Sequence, residues 1–598
     1  MNDMTKSPSL DVKHKSKNSR SVGVFFIIIC LLLFQNTIFR FNEWCVSGVS
    51  KYFLFSVFYS GLTSLIVYKV KYRFLKVLFY FLLILLASTN FFLAYRFHSS
   101  ISPSTLLLIA ETNTQESLEF INTYLFSSIG ITFLSSFLII CAFIFVLERE
   151  EWRLYTYYSK PIFRIICRKW GYLILSVLAI WIFYDSVSLY NCQSVVEVDK
   201  WSRDCHRHIK PMDNISNLQY CVCNLLLARK EQKQSENLII ETIKIPSKIS
   251  TNDSTTVVMV IGESYNKWHS KLYGYPLNTC PNLLREKISG NLFVFTNVVS
   301  PYNITSRVLR NVFSTNAIGM REHWANYPFF PAVFRSAGYE VNMYDNQFNP
   351  YSKESFDFSL NAYLHSKSNH KYVYSSVNQR NYELDGKLIE AYKKSNSYLH
   401  PTKFQFIIFH LMGQHISYYN RFPHNGRFDH FLADSIMRNE PYMTKEKRQL
   451  IADYDNATYY NDEVINQIIE LFKNRNTVMV YFADHGEEIY DYRDFSGRIH
   501  EGTLDKNVLK YNFSVPFFIW CSDKYMKNNK NQIESIKMAP KRPLSIDNVC
   551  HLFFRLGHIN TPLYLSNRDV LDSSYNCPPR IINDNFTLIE KSMMISDF

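Results

Sequence analysis

Asp484, His485, Gly486, Glu487 and Glu488 come one residue after the apolar run Thr477 to Phe482, "TVMVYF", so carboxylates and an imidazole arrive where a buried run stops. Two other apolar runs end in the same way. Thr255 to Ile261 ("TTVVMVI") leads into Gly262 and Glu263, and Phe404 to Phe409 ("FQFIIF") leads into "HLMGQH", which carries His410 and His415. Asp, Glu and His side chains converging from three run ends make a donor set that suits Zn²⁺ or Mn²⁺ better than Ca²⁺. A strand end fixes the direction of its ligands, and Gly486 is expected to let the chain turn away beside the ion. Each residue alone has a plainer explanation: His485 could cap a following helix, and Glu263 could be a carboxylate in a first helical turn. The metal reading rests on their coincidence.

The elements that must position these residues are legible from the same runs. All three are near-continuous and rich in β-branched and aromatic residues, the pattern of strands buried on both faces of a parallel sheet. Between them lie helix-like stretches such as Tyr459 to Lys473, where Val464, Ile465, Ile468 and Ile469 recur at helical spacing. Residues 255–598 are therefore expected to form an α/β domain with a mainly parallel central sheet, and such sheets bind ligands beyond the carboxyl ends of their strands. Residues 191–254 are polar, with a helical patch over Asn217 to Lys233, and read as a bridging segment.

The first third of the 598-residue chain is different in kind. Apolar segments run from about Val22 to Phe39, Val49 to Tyr68, Phe74 to Ala94, Tyr124 to Val146 and Gly171 to Tyr190, each near the roughly 20 residues that a membrane-spanning helix needs. Residues 22–190 are thus expected to be a five-helix transmembrane domain. The first segment lacks a small-residue cleavage site and reads as an uncleaved anchor. Lys and Arg gather in the tail over residues 1–21, in Lys69 to Arg73 and in Arg149 to Lys169, which places these parts in the cytoplasm and everything after Tyr190 outside. The net charge of +13 is partly this topology signal, which argues against a nucleic-acid partner. Cys192, Cys205, Cys221, Cys223, Cys280, Cys521, Cys550 and Cys577 all lie beyond the last segment, and in an oxidising compartment some are expected to pair.

The chain resembles the phosphoethanolamine transferases that modify lipid A and related envelope glycans, members of the alkaline phosphatase and sulfatase-like superfamily. The resemblance covers most of the chain and rests on "GESYNKWHSKLYGYPLNTCPNL" (Gly262 to Leu283), "MGQHISYYNRFP" (Met412 to Pro423), "YDNATYYND" (Tyr454 to Asp462), "ADHGEE" (Ala483 to Glu488) and "IHEG" (Ile499 to Gly502). It implies Glu263, Asp484 and His485 as ligands of the main zinc ion, with His415 and His500 close to the transferred phosphate or to a second metal ion. It also implies a Thr nucleophile that binds the metal. Thr305 precedes Phe313-Ser314 at the family spacing, with Ser306 as rival and Arg310 where the family has Pro. Asn113 and Glu116 lie in an outward loop that resembles a headgroup-recognition stretch.

The implied reaction is two-step transfer of phosphoethanolamine from phosphatidylethanolamine to lipid A or a related glycan through a covalent adduct on Thr305. The enzyme is expected to be a monomer of the bacterial inner membrane with its catalytic domain in the periplasm. A phosphoglycerol transferase of the lipoteichoic-acid-synthase type, or a non-catalytic membrane-anchored binding protein, is the alternative. The Cys/Ser-x-Pro-x-Arg signature of a strict sulfatase is absent, and Cys280-Pro281 does not supply it.

Overall fold

The structure is a computed structural model. It describes residues 73–97, 101–102, 105–106, 117–118, 120–148, 180, 183–184, 186–195, 197–198, 201, 214–320, 324–347, 363–499, 504–583 and 586–588. The chain divides into two compact units, residues 1–229 and 230–598.

In the first unit, helices α1 (Arg73–Phe97) and α2 (Ser128–Glu148) coincide with the third and fourth expected spans. Both carry exposed large apolar side chains, among them Phe74 and Phe81 on α1 and Leu138 and Ile139 on α2. Part of each helix has side chains outside the described set, and over the described residues no helix is long and apolar enough to cross a membrane. The first and second expected spans, and most of the fifth, lie outside the described residues, as do Asn113 and Glu116. The expected bridge contains a 30-residue helix, α3 (Asn214–Ile243), longer at both ends than the patch its sequence suggested.

The second unit is built on a seven-stranded sheet. Its strands are β1 (Thr255–Gly262), β2 (Leu292–Phe295), β3 (Glu340–Asp345), β4 (Ser376–Val377), β5 (Phe404–His410), β6 (Thr477–Ala483) and β7 (Phe517–Cys521), in the order β2-β7-β6-β1-β5-β3-β4. β6, β1, β5, β3 and β4 run parallel, whereas β7 is antiparallel to both β6 and β2, so the sheet is mixed. The three apolar runs are three adjacent central strands, and every residue of β1 and β6 is buried. Burial on both faces explains why the runs are continuous rather than alternating. Aromatic rings pack the two faces: Phe334 stacks on Phe406 with ring centroids 4.2 Å apart, and Tyr481 on Phe518 at 4.7 Å.

Parallel register sets the functional edge. Gly262 lies opposite Ala483, and Ile261 opposite both Phe482 and His410, so the three strands end side by side. The helix expected over Tyr459 to Lys473 is the C-terminal half of a 28-residue helix, α5 (Lys445–Phe472), and its Val464, Ile465, Ile468 and Ile469 are buried as their spacing implies. Before it in the chain, α4 (Thr305–Val312) opens on Thr305.

The expectation of disulfides fails for Cys192, Cys223, Cys280, Cys521 and Cys550, which are free thiols. Cys280, Cys521 and Cys550 belong to the main apolar core, where a thiol packs as a small hydrophobe. Cys205 lies outside the described residues.

Candidate metal centre and nucleophile

The edge formed by the ends of β1 and β6 brings Glu263, Asp484 and His485 together. One ligand atom from each lies within 4.8 Å of the others, all three residues are buried, and no other group of three or more such side chains occurs among the described residues. His485 Nε2 is 3.3 Å from Glu263 Oε1 and 3.0 Å from Asp484 Oδ2. Thr305 Oγ1 stands against the same cluster. It donates to Glu263 Oε2 at 3.1 Å and lies 3.2 Å from His485 Nε2.

The backbone around this cluster is shaped to aim it. Ser264, directly after Glu263, has φ of 54°, a conformation few non-glycine residues adopt. In that conformation its N–H donates to Asp484 Oδ1 at 3.1 Å and its hydroxyl to Glu263 Oε1 at 2.7 Å. Gly413 comes so close to the Glu263 backbone that a Cβ there would lie 2.8 Å from its nitrogen, and its φ is +50°. Gly486 is needed for a reason other than the expected turn. Its φ is not positive, but a Cβ would sit 2.1 Å from the Tyr511 carbonyl oxygen, so the requirement is close approach of another chain segment.

The electrostatics fit a divalent cation. Burial opposes charge on Glu263, but in the acid range where this carboxyl titrates the protonated His485 and His415 imidazoles, together with the Arg498 guanidinium, outweigh it and hold the carboxyl well below the usual carboxylate range. Burial and the neighbouring Glu263 push Asp484 upward instead. Two buried carboxylates this close ionise together only when a cation lies between them. Asp484 Oδ2 is buried without a hydrogen-bond partner. His485 Nδ1 faces the Gly486 carbonyl oxygen at 3.0 Å, which assigns the proton to Nδ1 and leaves the Nε2 lone pair directed at the carboxylates. Burial and Arg498 lower the His485 pKa to about 3, so the ring is neutral, as a metal ligand must be.

The remaining expected residues divide between the site and its surroundings. His415 is partly buried near Glu263, with Nδ1 unpartnered; burial lowers its pKa to about 4, with Arg421 and Arg498 assisting against Glu263. His410, from the end of β5, turns away from the cluster and pairs through Nδ1 with Asp345 Oδ1 at 2.9 Å. Glu488 is taken by Arg493, at 2.9 and 2.7 Å. No helix directly follows His485, so it caps none; the chain continues into the short strand Glu488–Ile489. Thr305 is the first residue of α4, whose N-cap is Ile304. Arg310, where a proline was expected, leaves α4 regular, and its guanidinium lies over the Trp324 ring. Ser306 is fully buried with an unpartnered hydroxyl. His500 lies outside the described residues.

Two features were not read from the sequence. Arg498 reaches into the cluster, contacting His485 Nε2 and pairing through Nε with Glu487 Oε2 at 3.1 Å. A lone arginine in a loop carries no spacing signal. The second is the role of the segment Tyr454 to Asp462, which braces the strand-end segment after β1. Asp462 accepts the Asn282 and Leu283 N–H groups, each at 2.9 Å. Asp455 pairs with His269 Nδ1 at 2.7 Å, and Asp491 with its Nε2 at 3.2 Å.

Residues 255–541 match the sulfatase family, and the second unit is a domain of that family. The chain is 26% identical over 494 residues to phosphoethanolamine transferase EptC of Escherichia coli K12, covering 81% of this chain and 80% of that protein. The crystal structure of the C-terminal periplasmic domain of Escherichia coli EptC in complex with Zn is 27% identical, with a TM-score of 0.50, covering 58% of this chain and 96% of that one. The integral membrane lipooligosaccharide phosphoethanolamine transferase A of Neisseria meningitidis matches in fold, with a TM-score of 0.61 at 16% identity over 93% of this chain and 98% of that one. The chain is thus similar over most of its length to enzymes named phosphoethanolamine transferases, and its second unit to the sulfatase-type domain.

Proposed function

We propose that this enzyme moves phosphoethanolamine from phosphatidylethanolamine to lipid A or a related envelope glycan, through a covalent adduct on Thr305. The observation that carries this reading is the placement of the Thr305 hydroxyl within 3.1–3.2 Å of two members of a buried Glu263–Asp484–His485 donor cluster. A hydroxyl held there, rather than a water, retains the group for transfer. Glu263, Asp484, His485 and Thr305 would hold zinc, which supplies a Lewis acid that lowers the hydroxyl pKa and polarises a phosphoryl oxygen.

Thr305 Oγ attacks the donor phosphorus, and the bond from phosphorus to the diacylglycerol oxygen breaks. That oxygen takes up a proton as it leaves. An acceptor hydroxyl or phosphate oxygen then attacks the same phosphorus, and Thr305 Oγ departs and regains its proton. His415, neutral near pH 7, is assigned as the proton acceptor. His500 is assigned to the phosphate and Asn113 and Glu116 to the ammonium headgroup. Residues 22–190 anchor the enzyme in the inner membrane through five spans, behind a cytoplasmic tail over residues 1–21. Residues 191–254 bridge to the periplasmic catalytic domain over residues 255–598, and the enzyme acts as a monomer.

Mass spectrometry of lipid A from cells that express the chain tests this. An ethanolamine phosphate adduct, absent from cells expressing Thr305→Ala, is expected. An unmodified lipid A beside a glycerol phosphate polymer would overturn it.

A further inference from the structure

We propose that Arg498 binds the oxygens of the phosphoryl group being transferred and that Glu487 is the residue that positions it. This deepens the transfer reading above and rests on it for the identity of the substrate. The observations are geometric. The Arg498 side chain is 14% exposed, and its Nε pairs with Glu487 Oε2 at 3.1 Å. Glu487 is itself fixed at its other oxygen, where Tyr418 Oη donates at 3.2 Å. Arg498 Nη1 donates to the Asn303 carbonyl at 3.2 Å, two residues before Thr305, and contacts His485 Nε2. Among the described residues Nη2 takes no partner. The arginine is thus tied at Nε to Glu487 and at Nη1 to the Asn303 carbonyl in the nucleophile segment, with one N–H₂ group left over.

The surroundings call for such a group. Glu263, Asp484 and Glu487 put three buried carboxyl groups at this edge. A phosphodiester anion entering beside them meets repulsion unless fixed positive charge faces it. Other guanidinium groups nearby are committed elsewhere: Arg493 to both oxygens of Glu488, and Arg421 to the carbonyls of His415 and Ile416. Arg498 has the planar fork that matches two phosphoryl oxygens, and it is held in place before substrate arrives. The Asn303 side chain donates to the Ile499 carbonyl at 2.7 Å, so the segment bearing Arg498 and the segment bearing Thr305 are bonded to each other in both directions. Arginine and nucleophile therefore keep a fixed separation.

The test uses the full chain, purified in detergent and loaded with zinc, as wild type, Arg498→Gln, Arg498→Lys, Glu487→Gln and Glu487→Asp. Three quantities are read: zinc content, the dissociation constant for inorganic phosphate, and kcat and KM for transfer from phosphatidylethanolamine to lipid A. Arg498→Gln is expected to keep its zinc, to weaken phosphate binding at least 10-fold and to lower kcat about 100-fold. Arg498→Lys keeps the charge without the fork and is expected to fall between Arg498→Gln and wild type. Glu487→Gln is expected to weaken phosphate binding with zinc unchanged, and Glu487→Asp to restore part of the loss. Loss of zinc in both arginine variants would assign Arg498 to holding His485 and overturn the proposal. Unchanged phosphate affinity and transfer in Arg498→Gln would overturn it equally. If the wild type transferred no phosphoethanolamine, the transfer reading would fall, and the phosphate dissociation constants would still decide the role of Arg498.

Discussion

His485 Nε2 and Asp484 Oδ2 belong to adjacent residues, yet they lie 3.0 Å apart and both are buried. Successive side chains on a strand point to opposite faces. Their convergence shows that the chain leaves β6 at Ala483, and that the donor pair is made by the bend after the strand while the strand supplies its position.

Removing either carboxylate should therefore empty the centre. Asp484→Ala and Glu263→Ala are expected to fold and to lose most zinc by elemental analysis, together with activity. Full metal content in both would refute the ligand assignment.

Thr305→Ala should keep some zinc, because Glu263, Asp484 and His485 remain, and should form no adduct with donor lipid by intact-protein mass spectrometry. At the first position of a helix alanine is well tolerated, so stability should change little. Thr305→Ser is expected to retain partial activity. An adduct mapped to Ser306 in the wild type would move the nucleophile.

His269 gives the pH dependence of stability. Burial opposes its charge, but Asp455 and Asp491 prevail and raise its pKa to about 10. An unfolded histidine titrates near 6.5, so the folded state binds the proton more tightly. The resulting stabilisation is complete below about pH 6.5 and is lost as pH rises towards 10. Wild-type melting temperature should fall across that window, and more steeply than in His269→Gln. His269→Ala leaves buried carboxylates unpaired and should cost about 3–5 kcal/mol. A flat wild-type profile from pH 6.5 to 10 would contradict a protonated His269.

Gly486→Ala forces the Tyr511 carbonyl to move and should destabilise by about 1–3 kcal/mol while disturbing His485, whose Nδ1 faces the Gly486 carbonyl. Zinc affinity and melting temperature should drop together. Unchanged values for both would show that the 486–511 approach is loose.

Reporters fused after Tyr190 should be active only outside the inner membrane, and reporters within Glu148 to Lys169 only inside. The reverse pattern would remove the lipid donor from reach of the catalytic domain.

Much of the site edge could be read from the sequence because β1, β5 and β6 are buried on both faces and therefore leave continuous apolar runs. The residues immediately after each run then stand at the carboxyl edge of the sheet. Periodicity could not separate His410 from a ligand, since its turn towards Asp345 depends on β3, a neighbour identified only by pairing. β7 was missed because it is short and antiparallel, and pairing alone places it between β2 and β6. The Gly486 contact with Tyr511 is likewise tertiary and has no local signature.

The bonds that assemble this edge join distant parts of the chain: Ser264 to Asp484, His269 to Asp455, Thr305 to His485. Each closes a loop of roughly 180 residues or more, which puts the entropic cost of closure ahead of any local reward. During synthesis, Glu263 and Thr305 emerge long before Asp484 and His485. A chain that stops short of residue 485 lacks part of the donor cluster, so the cluster can assemble only once β6 and the bend after it have been made.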